Sequence, residues 1–125
     1  MGTPMTVRSF RDLEVWQKAM ELVTLVYRYS SCFPREETYG LTNQIRRAAV
    51  SVPSNIAEGQ GRRTTKEFLN FLSMARGSLM EVQTQTEIAG RLQFLRAEPA
   101  EELLQVATSV CRLLNGLMNA LERKL

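Results

Sequence analysis

Residues 64–90 read TTKEFLNFLSMARGSLMEVQTQTEIAG. Thr64 and Glu67 stand at the spacing of a capping box, in which each side chain satisfies the other's backbone N–H at a helix start. From there Phe68, Leu72, Ala75, Leu79, Val82, Thr86 and Ala89 recur at steps of three and four, which places them on one helical face. The pattern predicts roughly thirty residues, or ~45 Å, of helix. Gly90 does not end it convincingly, since a helical glycine costs only ~1 kcal/mol relative to alanine.

Upstream, a second helix is predicted from about Thr38, read as its N-cap, with Leu41, Ile45, Ala48, Val52 and Ile56 inward. Pro53 lies inside it. The ring lacks an N–H and clashes with the carbonyl of Ala49, so a kink or break is expected there. Ser51 and Ser54 stand close enough in sequence to satisfy the backbone groups it releases, and Asn55 reads as a further cap. Gly59-Gln60-Gly61 supplies the glycines of a left-handed helix end.

A first helix runs from Arg11, with Leu13, Trp16, Met20, Val23 and Tyr27 as its inward stripe, until Pro34 stops it. Trp16 reads as a large aromatic anchor whose indole N–H needs a partner. A fourth helix begins near Pro99, with Glu98, Glu101 and Glu102 at its positive dipole end and Leu103, Val106, Val110, Leu113, Leu117 and Leu121 inward. Nothing alternates like a strand and no internal repeat is apparent. The expected architecture is all-α: an antiparallel up-down four-helix bundle over residues 10–125, with a proline kink in the second helix. Residues 1–9, with Gly2 and Pro4, read as a disordered N-terminal tail.

The 125-residue chain contains no histidine, which removes Ser-His-Asp and Cys-His catalysis and histidine-ligated metals. Its two cysteines, Cys32 and Cys111, are far apart and read as packing residues. No apolar run approaches the ~20 residues of a membrane span. These features lead us to expect a cytoplasmic, non-enzymatic protein with no cofactor and no membrane association. A Glu58–Glu81 carboxylate pair for acid–base work lacks a supporting nucleophile or base. Gly59-Gln60-Gly61-Arg62-Arg63 lacks both the preceding strand of a dinucleotide loop and the Lys-Ser/Thr of a P-loop.

Apolar residues overfill two helices. The first carries Val15, Leu22, Leu25 and Val26 besides its stripe, and the last pairs Leu103 with Leu104, Leu113 with Leu114 and Leu117 with Met118. A helix of a lone bundle needs an apolar arc only a little over ~100° wide, so the surplus points to a homo-oligomer. Charge is also uneven. The chain carries +3 overall, yet residues 40–80 hold Arg46, Arg47, Arg62, Arg63, Lys66 and Arg76 against only Glu58 and Glu67. Arg46, Arg47, Arg62, Arg63 and Lys66 are the candidate nucleic-acid contacts, the last three beside a glycine turn where backbone approaches a phosphate. Glu81 and Gln85 share a helix face and are read as hydrogen-bonding across a subunit contact.

The runs Phe10–Ala19 (FRDLEVWQKA) and Tyr39–Gly59 (YGLTNQIRRAAVSVPSNIAEG), continued through Phe68–Ala75, Gly77-Ser78-Leu79 and Glu81–Ala89, resemble the bacterial 23S rRNA-intervening-sequence proteins. The chain is also similar to the accessory variability determinants of diversity-generating retroelements. The resemblance implies a four-helix bundle assembled as a homopentameric ring, of undefined role, a scaffold or interaction protein with weak RNA or DNA affinity. It implies, as the alternative, a nucleic-acid-binding accessory to a reverse transcriptase. No catalytic residues come with it.

Overall fold

The computed structural model describes residues 8–125, so the tail expected at the N-terminus lies, for residues 1–7, outside the described residues. Ser9 caps a 3-10 turn, Phe10–Asp12, and the Asp12 carboxylate accepts the backbone N–H groups of Arg8 and Ser9. Four helices follow: α1 (Glu14–Ser30), α2 (Leu41–Gln60), α3 (Thr65–Arg91) and α4 (Ala97–Glu122). A second 3-10 turn, Arg35–Glu37, lies between α1 and α2. The described residues contain no strand. Each helix packs on two others in the cycle α1–α2–α3–α4–α1, and the α2–α3 contact is the most extensive. Leu22, Ile45, Ile56, Leu72, Leu79, Leu103 and Leu114 are fully enclosed at the centre.

The α3 stripe lies inward as its period requires, with only Phe68 half-buried. The α2 stripe is buried throughout. In α1 the inward face differs from expectation. Val15, Ala19, Leu22, Leu25 and Val26 are buried, whereas Met20 is 41% and Tyr27 44% exposed. Within α1 the two stripes run one residue apart, a rotation of about 100°, and both have helical spacing. Packing selects the one containing Ala19, a residue small enough to sit fully enclosed between helices. Trp16 and Val23 become its half-buried flank. In α4, Leu103, Val106, Val110 and Leu121 are buried as expected, while Leu114 is enclosed completely and Leu113 and Leu117 are left half-buried.

Several helix ends also differ. The second helix starts at Leu41 with Gly40 as N-cap; Thr38 instead closes the preceding 3-10 turn. The Leu41 N–H donates to Glu37 Oε1 at 3.0 Å, placing a carboxylate at the positive end of α2. Pro53 does not break α2, which continues to Gln60. The Asn55 side chain donates to the carbonyl and hydroxyl oxygens of Ser51 at 2.8 and 2.9 Å, so it does not cap the Ala49 carbonyl that Pro53 leaves without a donor. The expected left-handed glycine is absent, because Gly61 closes α2 with φ −80°. Gly59 serves close packing instead: a Cβ there would stand 2.7 Å from Phe71 Cβ and 3.0 Å from Phe68 Cδ1. At the start of α3, Thr64 Oγ1 accepts the Glu67 N–H at 3.1 Å. The Glu67 carboxylate takes the Thr64 hydroxyl rather than its backbone N–H, so the box is half formed.

The left-handed turn lies at the other end of α3, on a residue that is not glycine. Gln93 has φ 63°, its N–H donates to Gly90 O, and the Phe94 N–H donates to Ala89 O. These two bonds form a Schellman ending, with Gln93 where glycine is the usual residue. Phe94 then turns back to pack on Phe33, the ring centroids 6.0 Å apart.

Tyr29 near the end of α1 donates its hydroxyl to the Glu102 carboxylate near the start of α4. This hydrogen bond, with smaller contributions from desolvation and the Glu102 charge, raises the phenol above its ordinary value of 10.0. A raised folded-state value favours the neutral phenol. The contact is therefore fully stabilising below pH 10 and is lost as pH rises through the folded-state value. Phenolate absorbance of the folded protein should show a tyrosine ionising above the ordinary phenol value of 10.0. Tyr29→Phe should remove that late step; an unchanged titration would mean the contact does not persist in solution.

Candidate interaction surfaces

The four candidate arginines and the lysine do not converge on one site. Arg46 is held on α1: its Nε donates to Ser30 Oγ at 2.7 Å and its Nη2 to Tyr27 O at 3.3 Å. Its guanidinium carbon lies 4.6 Å from the centroid of the Tyr27 ring. A cation is thereby placed at the negative end of α1, where the last-turn carbonyls have no intrahelical donors. Arg46 is a strap between α1 and α2. Its neighbour Arg47, turned by about 100°, is exposed and opens on the α2–α3 side.

Arg62 lies 4.6 Å over the Phe71 ring and reaches Glu58 at 3.7 Å. Both partners of that ion pair are substantially exposed, so it adds at most about 1 kcal/mol. Arg63 and Lys66 are exposed and form no ion pair among the described residues. About 20 Å of helix separates Arg47 from the end of α2, which is too far for a single ligand group to meet both clusters. Glu58 and Glu81 are likewise divided: Glu58 faces Arg62, whereas Glu81 lines a cleft with Arg47. Among the described residues no three His, Cys, Asp or Glu side chains gather as a metal site. Cys32 is exposed with its thiol donating to Tyr29 O, Cys111 is half-buried, and both are free.

Besides two concavities along α1 and α4, lined in part by Glu14, Arg112 and Leu113, two concave features flank α2. One is an apolar groove of about 380 Å³ between α1 and α2, lined by Phe10, Trp16, Met20, Val23, Val50, Pro53, Ser54 and Ala57. Phe10 meets Trp16 edge-on at 5.2 Å and extends the groove beyond the start of α1. The stripe expected to fill the core thus forms much of this outer wall. The leucines and valines counted as surplus are largely core: Val15, Leu22, Leu25, Val26, Leu103 and Leu114 are buried within one protomer, so that surplus does not call for a second copy.

The other feature is a polar cleft of about 390 Å³ between α2 and α3, containing Arg47, Ser51, Ser78, Glu81 and Gln85. The Ser78 hydroxyl donates to Ser51 Oγ at 2.9 Å, joining the two helices. Sequence reading missed Ser78, although a serine placed three residues after Ala75 and four before Val82 stands on the apolar stripe and signals a buried polar contact.

These elements define an all-α four-helix protein with an apolar groove and a polar cleft at its surface. The model of the 23S rRNA-intervening sequence protein family matches residues 11–116, and the chain belongs to that family. A crystal structure of a protein of unknown function from the S23 ribosomal protein family, from Bacteroides thetaiotaomicron, is similar. It is 23% identical, with a TM-score of 0.76, and the match covers 83% of this chain and 97% of that one. At that identity the likeness establishes the fold. No curated protein matches the chain. Among the described residues no helix is long and apolar enough to cross a membrane.

Proposed function

We propose that this chain is a non-enzymatic, self-associating interaction or scaffold protein of the cytoplasm. In this reading its bundle is up-down antiparallel, bent at Pro53, and assembled into a ring of five. The observation that carries the reading is the α1–α2 groove, an almost wholly apolar surface on a single protomer. Covering its half-exposed side chains with a second copy contributes about 1.5–3 kcal/mol for each one fully buried, an upper bound before the cost of association. A ring joins two different surfaces of each subunit. Beyond the groove, α3 exposes the apolar side chains of Met80 and Ile88, 40% and 41% exposed. Light scattering at micromolar concentration tests the reading. The expected mass is a multiple of the 14.2 kDa chain, fivefold for the ring. A stable single-chain mass rejects it.

A second reading, a nucleic-acid-binding accessory to a reverse transcriptase, is favoured by Arg63 and Lys66, which lack carboxylate partners beside Gly61. Binding to labelled RNA or DNA would then fall with salt, with a log–log slope of about −0.9 per phosphate neutralised. It would be lost in Arg62→Glu/Arg63→Glu. No binding at low salt removes this reading and leaves the first intact.

A further inference from the structure

The α2–α3 cleft carries unmet polar valences of both signs. From α2, Arg47 and Ser51 stand at i and i+4 on one face; from α3, Glu81 and Gln85 do the same. Arg47 and Glu81 line the same cleft, yet they form no ion pair with each other or with any other described residue. Gln85 Oε1 is buried and receives no hydrogen bond. Ser51 Oγ already accepts the Asn55 amide and the Ser78 hydroxyl, which leaves its own proton to donate. The α2 side therefore presents a cation and a hydroxyl donor flanked by the carboxamides of Asn43 and Gln44, while the α3 side presents an anion and a buried acceptor. The only apolar side chain in the lining is Ala48, so neither a stacked base nor an aliphatic ligand finds a wall.

We infer that this cleft binds a small zwitterion of the free amino-acid class. Its carboxylate lies toward Arg47 and the Ser51 hydroxyl, and its ammonium toward Glu81 and Gln85 Oε1. Such a ligand gives the buried Gln85 acceptor the donor that a buried polar atom ordinarily has. It also bridges two charges set too far apart to pair directly. The site is separate from the apolar groove, and the inference does not depend on self-association.

The test is an NMR titration of the 125-residue chain with glycine, L-serine and L-glutamine in turn. At least one should shift amides of residues 43–51 and 78–85 saturably, with a dissociation constant of about 1 mM or tighter. Two analogues of that compound separate the charges: the amino-acid amide lacks the carboxylate and the N-acetyl form lacks the ammonium. Each should bind at least about tenfold more weakly. Arg47→Gln and Glu81→Gln should each abolish the shifts at an unchanged melting temperature, because both side chains are exposed. Gln85→Met should abolish them without loss of stability. The inference is overturned if none of the three compounds saturates, if both single-charge analogues bind as well as the zwitterion, or if the shifts fall outside the cleft.

Discussion

Gly59→Ala lowers the stability of the protein by about 1–3 kcal/mol, while Gly77→Ala raises it by up to ~1 kcal/mol. Both glycines lie inside helices, and helix propensity alone favours alanine at each. What differs is the space beside them. A Cβ at Gly77 meets nothing within 4 Å, whereas at Gly59 it would stand 2.7 Å from Phe71 Cβ and 3.3 Å from Phe68 O. Phe68 Cδ1 can rotate away, but Phe71 Cβ and the Phe68 carbonyl are fixed to the α3 backbone. The two helices must therefore separate along their most extensive contact. Urea denaturation at a single protein concentration measures both variants, and Gly59→Val should lose more than Gly59→Ala. Equal gains at both positions would show that α2 and α3 do not approach as closely as described.

On the proposal that a second copy covers the groove, Val50→Glu should convert the assembly into a folded single chain. Val50 lines the apolar groove and is 39% exposed, so a carboxylate at its tip stays in contact with water on an isolated protomer. In an assembly that covers the groove the same carboxylate loses that water and gains no partner, a cost of several kcal/mol. Met20→Glu, on the opposite wall at 41% exposure, should act in the same way. Helical circular dichroism should persist while the scattering mass falls to 14.2 kDa. A variant that keeps its assembled mass would place the subunit contact elsewhere on the surface.

How much was legible in the sequence varies with the helix. The α3 stripe was readable because Leu72, Ala75, Leu79, Val82 and Ala89 are the face and little competes with them. The α1 stripe was not, because Val15 and Trp16 open two apolar series of equal period. Spacing cannot choose between them; the fit of Ala19 between neighbouring helices does. The C-terminal glycines were read through conformational freedom, yet Gly59 is required for contact, information held by Phe68 and Phe71 on the next helix. The left-handed position fell on Gln93, which nothing local marks.

The candidate site shows the same limit. Charge counting located Arg46, Arg47, Arg62, Arg63 and Lys66 correctly as the excess of positive charge, but it could not show what each guanidinium touches. Arg46 is taken up by Ser30 and Tyr27, partners contributed by α1 across the bundle. Arg47, one residue on, is left facing a cleft whose other wall is α3.

Trp16 is the only tryptophan and it lines the apolar groove, so its access to a soluble quencher reports directly on whether that groove is covered. Acrylamide quenching of the wild-type protein should be several-fold weaker than quenching of Val50→Glu at the same concentration. Equal quenching of the two, with Trp16 open to solvent in both, would contradict the proposal that a second copy occupies the groove.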